Sequence, residues 1–71
     1  RMVRNCLIAA GNSGDAALVP IVRCLLDDPA PVVRGAAVWA LARLDPQDAA
    51  ATRDRHLPGE QDPDVRAEWL A

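Results

Sequence analysis

Apolar residues recur along this chain at three- and four-residue intervals, in blocks separated by Asp, Pro and Gly, a pattern that predicts helices. The clearest block runs from Asp28 to Leu44. Within it Val33, Ala37, Ala40, Leu41 and Leu44 fall on one stripe of a helix over about 31–44. Pro31 suits the first helical position, where no backbone N–H is needed. The residues before Pro29 and Pro31 are pushed away from helical geometry, so this run ends one helix and opens the next. Gly35, Ala36 and Ala37 are small enough for a neighbouring helix to approach closely. Val32 and Trp39 lie on a different face, and are expected to pack on an adjoining unit or to form part of an exposed patch.

The rest of the chain predicts four more helices, over about 2–10, 16–27, 46–56 and 63–71. In the first, Val3, Leu7 and Ala10 form the apolar stripe and Gly11 is the expected stop. Asn12-Ser13-Gly14-Asp15 reads as a turn in which Gly14 takes positive φ and Asp15 caps the following helix. That second helix should bury Leu18, Ile21, Val22 and Leu25, with an irregular first turn because of Pro20. Asp45-Pro46 and Asp62-Pro63 are further cap and first-turn pairs. Pro58-Gly59-Glu60-Gln61 separates the last two helices. The acids Glu60, Asp62 and Asp64 do not have the spacing of a calcium-binding loop.

These helices repeat. Val33-Arg34 has counterparts at Val3-Arg4 and Val65-Arg66, intervals of 30 and 32 residues, each near the head of a helix. A period of this size is the signature of stacked helix pairs, which bury their apolar stripes against one another and build an extended binding surface. The expected fold is all-α: an α-solenoid fragment of about two helix pairs plus the start of a third.

Composition agrees with that picture and narrows the function. The chain has 71 residues, with no Phe, no Tyr and two Trp, Trp39 and Trp69. A domain this short buries only about 60% of its unfolded surface, so its stability should be marginal. The formal charge of −2 sets it apart from simple non-specific nucleic-acid binders, which are usually basic. All eight basic residues are arginine, whose planar fork suits carboxylate or phosphate; GC-biased coding would give the same usage. Cys6 and Cys24 lie on different helices without metal-pair or disulfide-framework spacing. They are expected to be free thiols, packed as small apolar residues in a reducing compartment. No signal peptide or membrane span is visible, which implies a cytoplasmic protein. Arg1 enters mid-helix and the last helix stops after two turns, so both ends are expected to be cuts in a longer protein.

The Asp-Pro openings followed by Val-Arg and an Ala-rich helix resemble a helix boundary of HEAT repeats. More specifically, Arg4-Asn5 with Gly11-Asn12-Ser13-Gly14-Asp15, followed by Val33-Arg34-Gly35-Ala36-Ala37-Val38-Trp39-Ala40-Leu41, is similar to the C-terminal HEAT-like domain of the epoxyqueuosine reductases. The resemblance covers nearly the whole chain. It implies a parent oxidoreductase of tRNA queuosine biosynthesis that carries two [4Fe-4S] clusters and cobalamin in a separate catalytic region and grips the tRNA anticodon stem-loop with this tail. The cluster-binding cysteine run of that family is absent here, and Cys6 and Cys24 do not match it. No catalytic, cofactor or metal residue is therefore carried over, and activity of this fragment alone is not expected.

The candidate RNA-binding residues are Arg4, Asn5, Asn12, Arg34, Trp39 and Arg66. Stacked repeats would set the three arginines about 8–10 Å apart, a row able to follow a phosphate backbone. An equally concrete role for each is structural, pairing with an Asp at the next repeat's opening, Asp28 or Asp62. Asn5 and Asn12 could donate to phosphate or ribose, or satisfy local backbone groups. Trp39 could stack on a base or pack between repeats. His56 reads as solvated beside a helix end. The other function class is a protein-binding scaffold with an apolar concave surface around Val32, Val38 and Trp39. The expected partners are thus tRNA and the catalytic region of the parent chain, or a protein.

Overall fold

A computed structural model describes residues 2–71. Five α-helices, α1 (Met2–Ser13), α2 (Val19–Leu25), α3 (Pro31–Leu44), α4 (Pro46–His56) and α5 (Pro63–Leu70), account for most of the described residues, among which there is no strand. The openings follow from side-chain chemistry. Asp15 accepts the Ala17 N–H at 3.0 Å and starts a 3₁₀ turn, Ala16–Leu18, that leads into α2. Pro20 falls in the first turn of α2, where its missing N–H is not needed. Asp45 accepts from Asp48 N at 3.1 Å and Asp62 accepts from both Asp64 N and Val65 N, capping α4 and α5.

Helix α3 is the axis of the fold and touches the other four helices. It contributes Val33, Ala37, Val38, Ala40 and Leu41 to the core, which is completed by Leu7, Val22, Leu26, Ala49, Val65 and Trp69. Its burial on several sides explains why Val38, expected on an exposed concave surface, is only 2% exposed. Helices α1, α3 and α5 form a row with α3 in the middle, and α2 and α4 pack on α3 as well. An ion pair from Arg23 to Asp48 ties α2 to α4. The Arg23 guanidinium also reaches the buried Thr52 hydroxyl at 3.4 Å.

Several expectations are corrected. Gly11 does not stop α1, which continues to Ser13; Gly11 is buried against Trp39, and the positive-φ residue is Gly14 at 69°. Val3 and Ile21 are exposed, whereas Leu26 joins the core. Both cysteines are free, but each lies on an exposed helix face instead of in the core.

Candidate functional site

The duplicated Val-Arg turns of α3 and α5 share one hydrogen-bonding frame. In α3, Arg34 Nη1 donates to the carbonyls of Asp28 and Pro29, at 3.0 and 3.1 Å. In α5, Arg66 Nη1 donates to the carbonyls of Leu57 and Glu60, at 2.8 and 2.9 Å. The loops match too: the Asp28 carboxylate accepts from Ala30 N, and the Glu60 carboxylate accepts from Asp62 N. Each arginine therefore clamps the loop that precedes its own helix.

Arg34 goes further. Its Nε and Nη2 donate to the two oxygens of Glu60, at 2.9 and 3.0 Å, a fork-to-fork pair with little solvent exposure. The hydrogen bond to Arg34 holds the Glu60 carboxyl below its ordinary range, and the same bond raises the guanidinium further above its own. Glu60 is thus the carboxylate that bridges the repeats, in place of the Asp28 or Asp62 side chains expected from sequence. Its signal was its position, equivalent to Asp28 one period later.

Arg4 belongs to the third Val-Arg turn, on α1. The anchoring carbonyls in the other two turns lie five to nine residues upstream, positions that for Arg4 fall outside the described residues. Arg4 is exposed and lines a groove across α1, α3 and α5. The groove floor includes Ile8, Val32, Gly35, Ala36 and Trp39, and Asp62, Asp64 and Glu68 line its α5 side.

Trp39 is half-buried and leans on α1 at Gly11, where an added Cβ would come 2.5 Å from its ring. The Arg43 guanidinium lies 5.1 Å from its ring centroid, and Arg43 Nε donates to the Gly11 carbonyl at 3.3 Å. Trp39 packs between α1 and α3, with Arg43 over one face of its ring. Arg43 was missed from sequence, although it lies one helical turn beyond Trp39 on α3. Asn5 and Asn12 are exposed, and their amides bond to none of the described residues. His56 is half-exposed, with its ring 5.9 Å from that of Trp69 and its Nδ1 3.9 Å from an Asp27 oxygen. The described residues contain no group of three or more His, Cys, Asp or Glu placed to hold a metal ion, and no helix long and apolar enough to cross a membrane.

Comparison with known proteins agrees with this architecture. A family model described as HEAT repeats matches residues 3–71. The chain is 41% identical over 69 residues to the epoxyqueuosine reductase of Listeria monocytogenes, covering 96% of this chain and 18% of that protein. It is 30% identical over 66 residues to the epoxyqueuosine reductase of Bacillus subtilis, covering 92% of this chain and 17% of that protein. An uncharacterized protein of Geobacillus stearothermophilus is 32% identical over 92% of this chain and 31% of its own length. The chain thus spans less than a third of each of these relatives. No solved structure matches it.

Proposed function

The chain belongs to the HEAT-repeat family, and on that premise we propose that it is the repeat region with which an epoxyqueuosine reductase holds its substrate RNA, the anticodon stem-loop of a tRNA. The observation that carries this reading is the similarity to reductases of that name along nearly the whole chain. The geometry narrows which residues touch RNA. Arg34 and Arg66 clamp loops and keep the helices in register. Arg4, Asn5 and Asn12 on α1 have exposed donors without partners among the described residues, and Arg43 extends that surface from α3. Contacts of this kind hold the RNA backbone in place without reading its sequence.

The iron–sulfur clusters and cobalamin belong, on this reading, to the catalytic region of the parent chain, which is also the domain's intramolecular partner. Redox chemistry on the RNA takes place there. The part played here is to hold the substrate.

The test is titration of an anticodon stem-loop RNA, followed by fluorescence anisotropy at low and high salt. Affinity should fall steeply with salt. Replacing Arg4 with Glu together with Asn5 and Asn12 with Asp should lower it at least about tenfold, with the circular dichroism spectrum unchanged. Unaltered affinity in that triple variant would remove the α1 surface from RNA binding. A second reading, a protein-binding scaffold, is favoured by the groove, whose apolar floor and carboxylates Asp62, Asp64 and Glu68 would repel a polyanion. It predicts no measurable affinity for the RNA in the unaltered protein or in the triple variant.

A further inference from the structure

The groove across α1, α3 and α5 has an apolar floor between walls of opposite charge. The floor belongs to α3, the middle helix, and both flanking helices are present, so the opening lies between elements of the chain itself. Val32 is 62% exposed on that floor, and Gly35 and Ala36 beside it leave room that larger side chains would fill. The space is about 600 Å³, enough to receive side chains of a partner. On the α5 wall, Asp64 and Glu68 lie four residues apart and share one helical face. The Glu68 stem borders the floor, its Cγ 3.9 Å from where a Cβ on Gly35 would stand. Among the described residues neither carboxylate enters an ion pair, whereas the Asp62 carboxylate next to them is occupied in capping α5. Arg4 lines the opposite wall.

We infer that this groove docks a basic amphipathic segment of a protein. An aliphatic side chain of the segment rests on Val32, Gly35 and Trp39, and a Lys or Arg one helical turn away pairs with Asp64 and Glu68. The inference deepens the protein-binding reading of the groove and rests on it, while the RNA surface on α1 stands or falls separately. Charge selects the occupant. Two unpaired carboxylates beside an apolar floor repel a phosphate backbone and attract a cation. A long cationic side chain also covers apolar surface with its stem while its head meets the carboxylates. Arg4 on the other wall repels a uniformly cationic segment, so the charge must lie on one side of the occupant. A short helix laid in the groove meets these demands, with its apolar anchor and its cation on neighbouring turns.

The experiment selects the partner's chemistry without presupposing its sequence. Random peptides of about twelve residues, some three helical turns, are displayed on phage and panned on the immobilised chain. Enriched peptides are then synthesised and titrated by fluorescence anisotropy. They should combine an aliphatic residue with Lys or Arg three or four positions away. Asp64→Lys with Glu68→Lys should weaken the selected peptide at least about tenfold, and Val32→Ser should weaken it several-fold, with circular dichroism unchanged. Asp64→Asn with Glu68→Gln, which keeps the side-chain shapes, should act in the same direction. Asp27→Lys with Asp54→Lys makes the same change of charge at exposed carboxylates outside the groove and should have little effect. Enriched peptides that are acidic, or indifferent to the α5 reversal, overturn the basic partner while leaving a protein-binding groove. Equal weakening by the two reversals overturns it too, since the attraction would then belong to net charge. No enrichment at all removes both the inference and the protein-binding reading. Displacement of the peptide by anticodon stem-loop RNA, with the α5 reversal raising RNA affinity, gives the groove to RNA and overturns the proposal.

Discussion

Arg34 and Glu60 meet edge to edge across two repeats, with Nε to Oε1 at 2.9 Å and Nη2 to Oε2 at 3.0 Å. The pair joins α3 to the loop ahead of α5, while the same guanidinium holds two carbonyls of its own loop and the same carboxylate holds the N–H of Asp62. One contact thus sets the register between successive helix pairs. Its bidentate geometry and additional backbone bonds distinguish it from a pair such as Arg53–Asp54, which joins sequence neighbours and is largely exposed.

Stability should therefore fall in acid through Glu60. Its carboxyl is held below the ordinary value of 4.5, chiefly by the hydrogen bond to Arg34. A depressed folded-state pKa makes the contribution fully present above the unfolded value and lost as pH falls from there through the folded value. Urea unfolding followed across this acid range should show the loss in the native protein. Glu60→Gln should be less stable at neutral pH and show a shallower acid slope. An identical slope in the variant would place the acid sensitivity elsewhere.

The thiols give a second prediction. Cys6 and Cys24 are exposed on α1 and α2, so both should react with Ellman's reagent in the folded protein at rates close to those in urea. Protection of either thiol in the folded protein would contradict this arrangement.

The cysteines also mark where sequence reading loses its grip. Local signals were legible because their physics is local: Asp15, Asp45 and Asp62 cap the helices they precede, and Pro31 opens α3. Which face of a helix is covered depends on distant partners. Cys6, beside the buried Leu7, and Cys24, two residues after the buried Val22, resemble core residues in one dimension, yet no neighbouring helix covers them. Val38 escaped for the opposite reason, because α3 is packed on more than one side and a single stripe under-describes it. The partner of Arg34 was readable only by applying the period to the acids as well as to the arginines. At the candidate RNA surface, sequence supplied Arg4, Asn5 and Asn12 but not Arg43, whose place on the Trp39 ring depends on the packing of α1 against α3.

Leu41 should be the most sensitive aliphatic position. It is fully buried in the central helix, and Leu41→Ala removes methyl groups while leaving a cavity among helices with few alternative contacts. A loss of about 2–5 kcal/mol is expected. Against a total stability of roughly 5–15 kcal/mol for ordinary domains, with small ones near the lower end, the variant should be partly unfolded at physiological temperature, as circular dichroism melts would reveal. A shift of only a degree or two would mean that the helices close over the space.

Two glycines in equivalent-looking helical settings should respond in opposite directions. A Cβ at Gly11 would lie 2.5 Å from Trp39 Cζ3 and 3.2 Å from the Ala40 Cα, so Ala there must push the indole and α3 away. A Cβ at Gly35 would meet only Glu68 and Val65 side-chain atoms at 3.9 Å, an ordinary contact. Ala is the better helix former by about 0.5–1 kcal/mol, and at Gly35 nothing opposes that gain. At Gly11 it is outweighed by overpacking, which typically costs about 1–3 kcal/mol. Gly35→Ala should accordingly raise the urea midpoint. Gly11→Ala should lower it and alter tryptophan emission as Trp39 is displaced and its contact with Arg43 changes. If Gly11→Ala proved as stabilising as Gly35→Ala, the indole would not be resting on α1, and the packing that places Arg43 beside Asn12's helix would have to be redrawn.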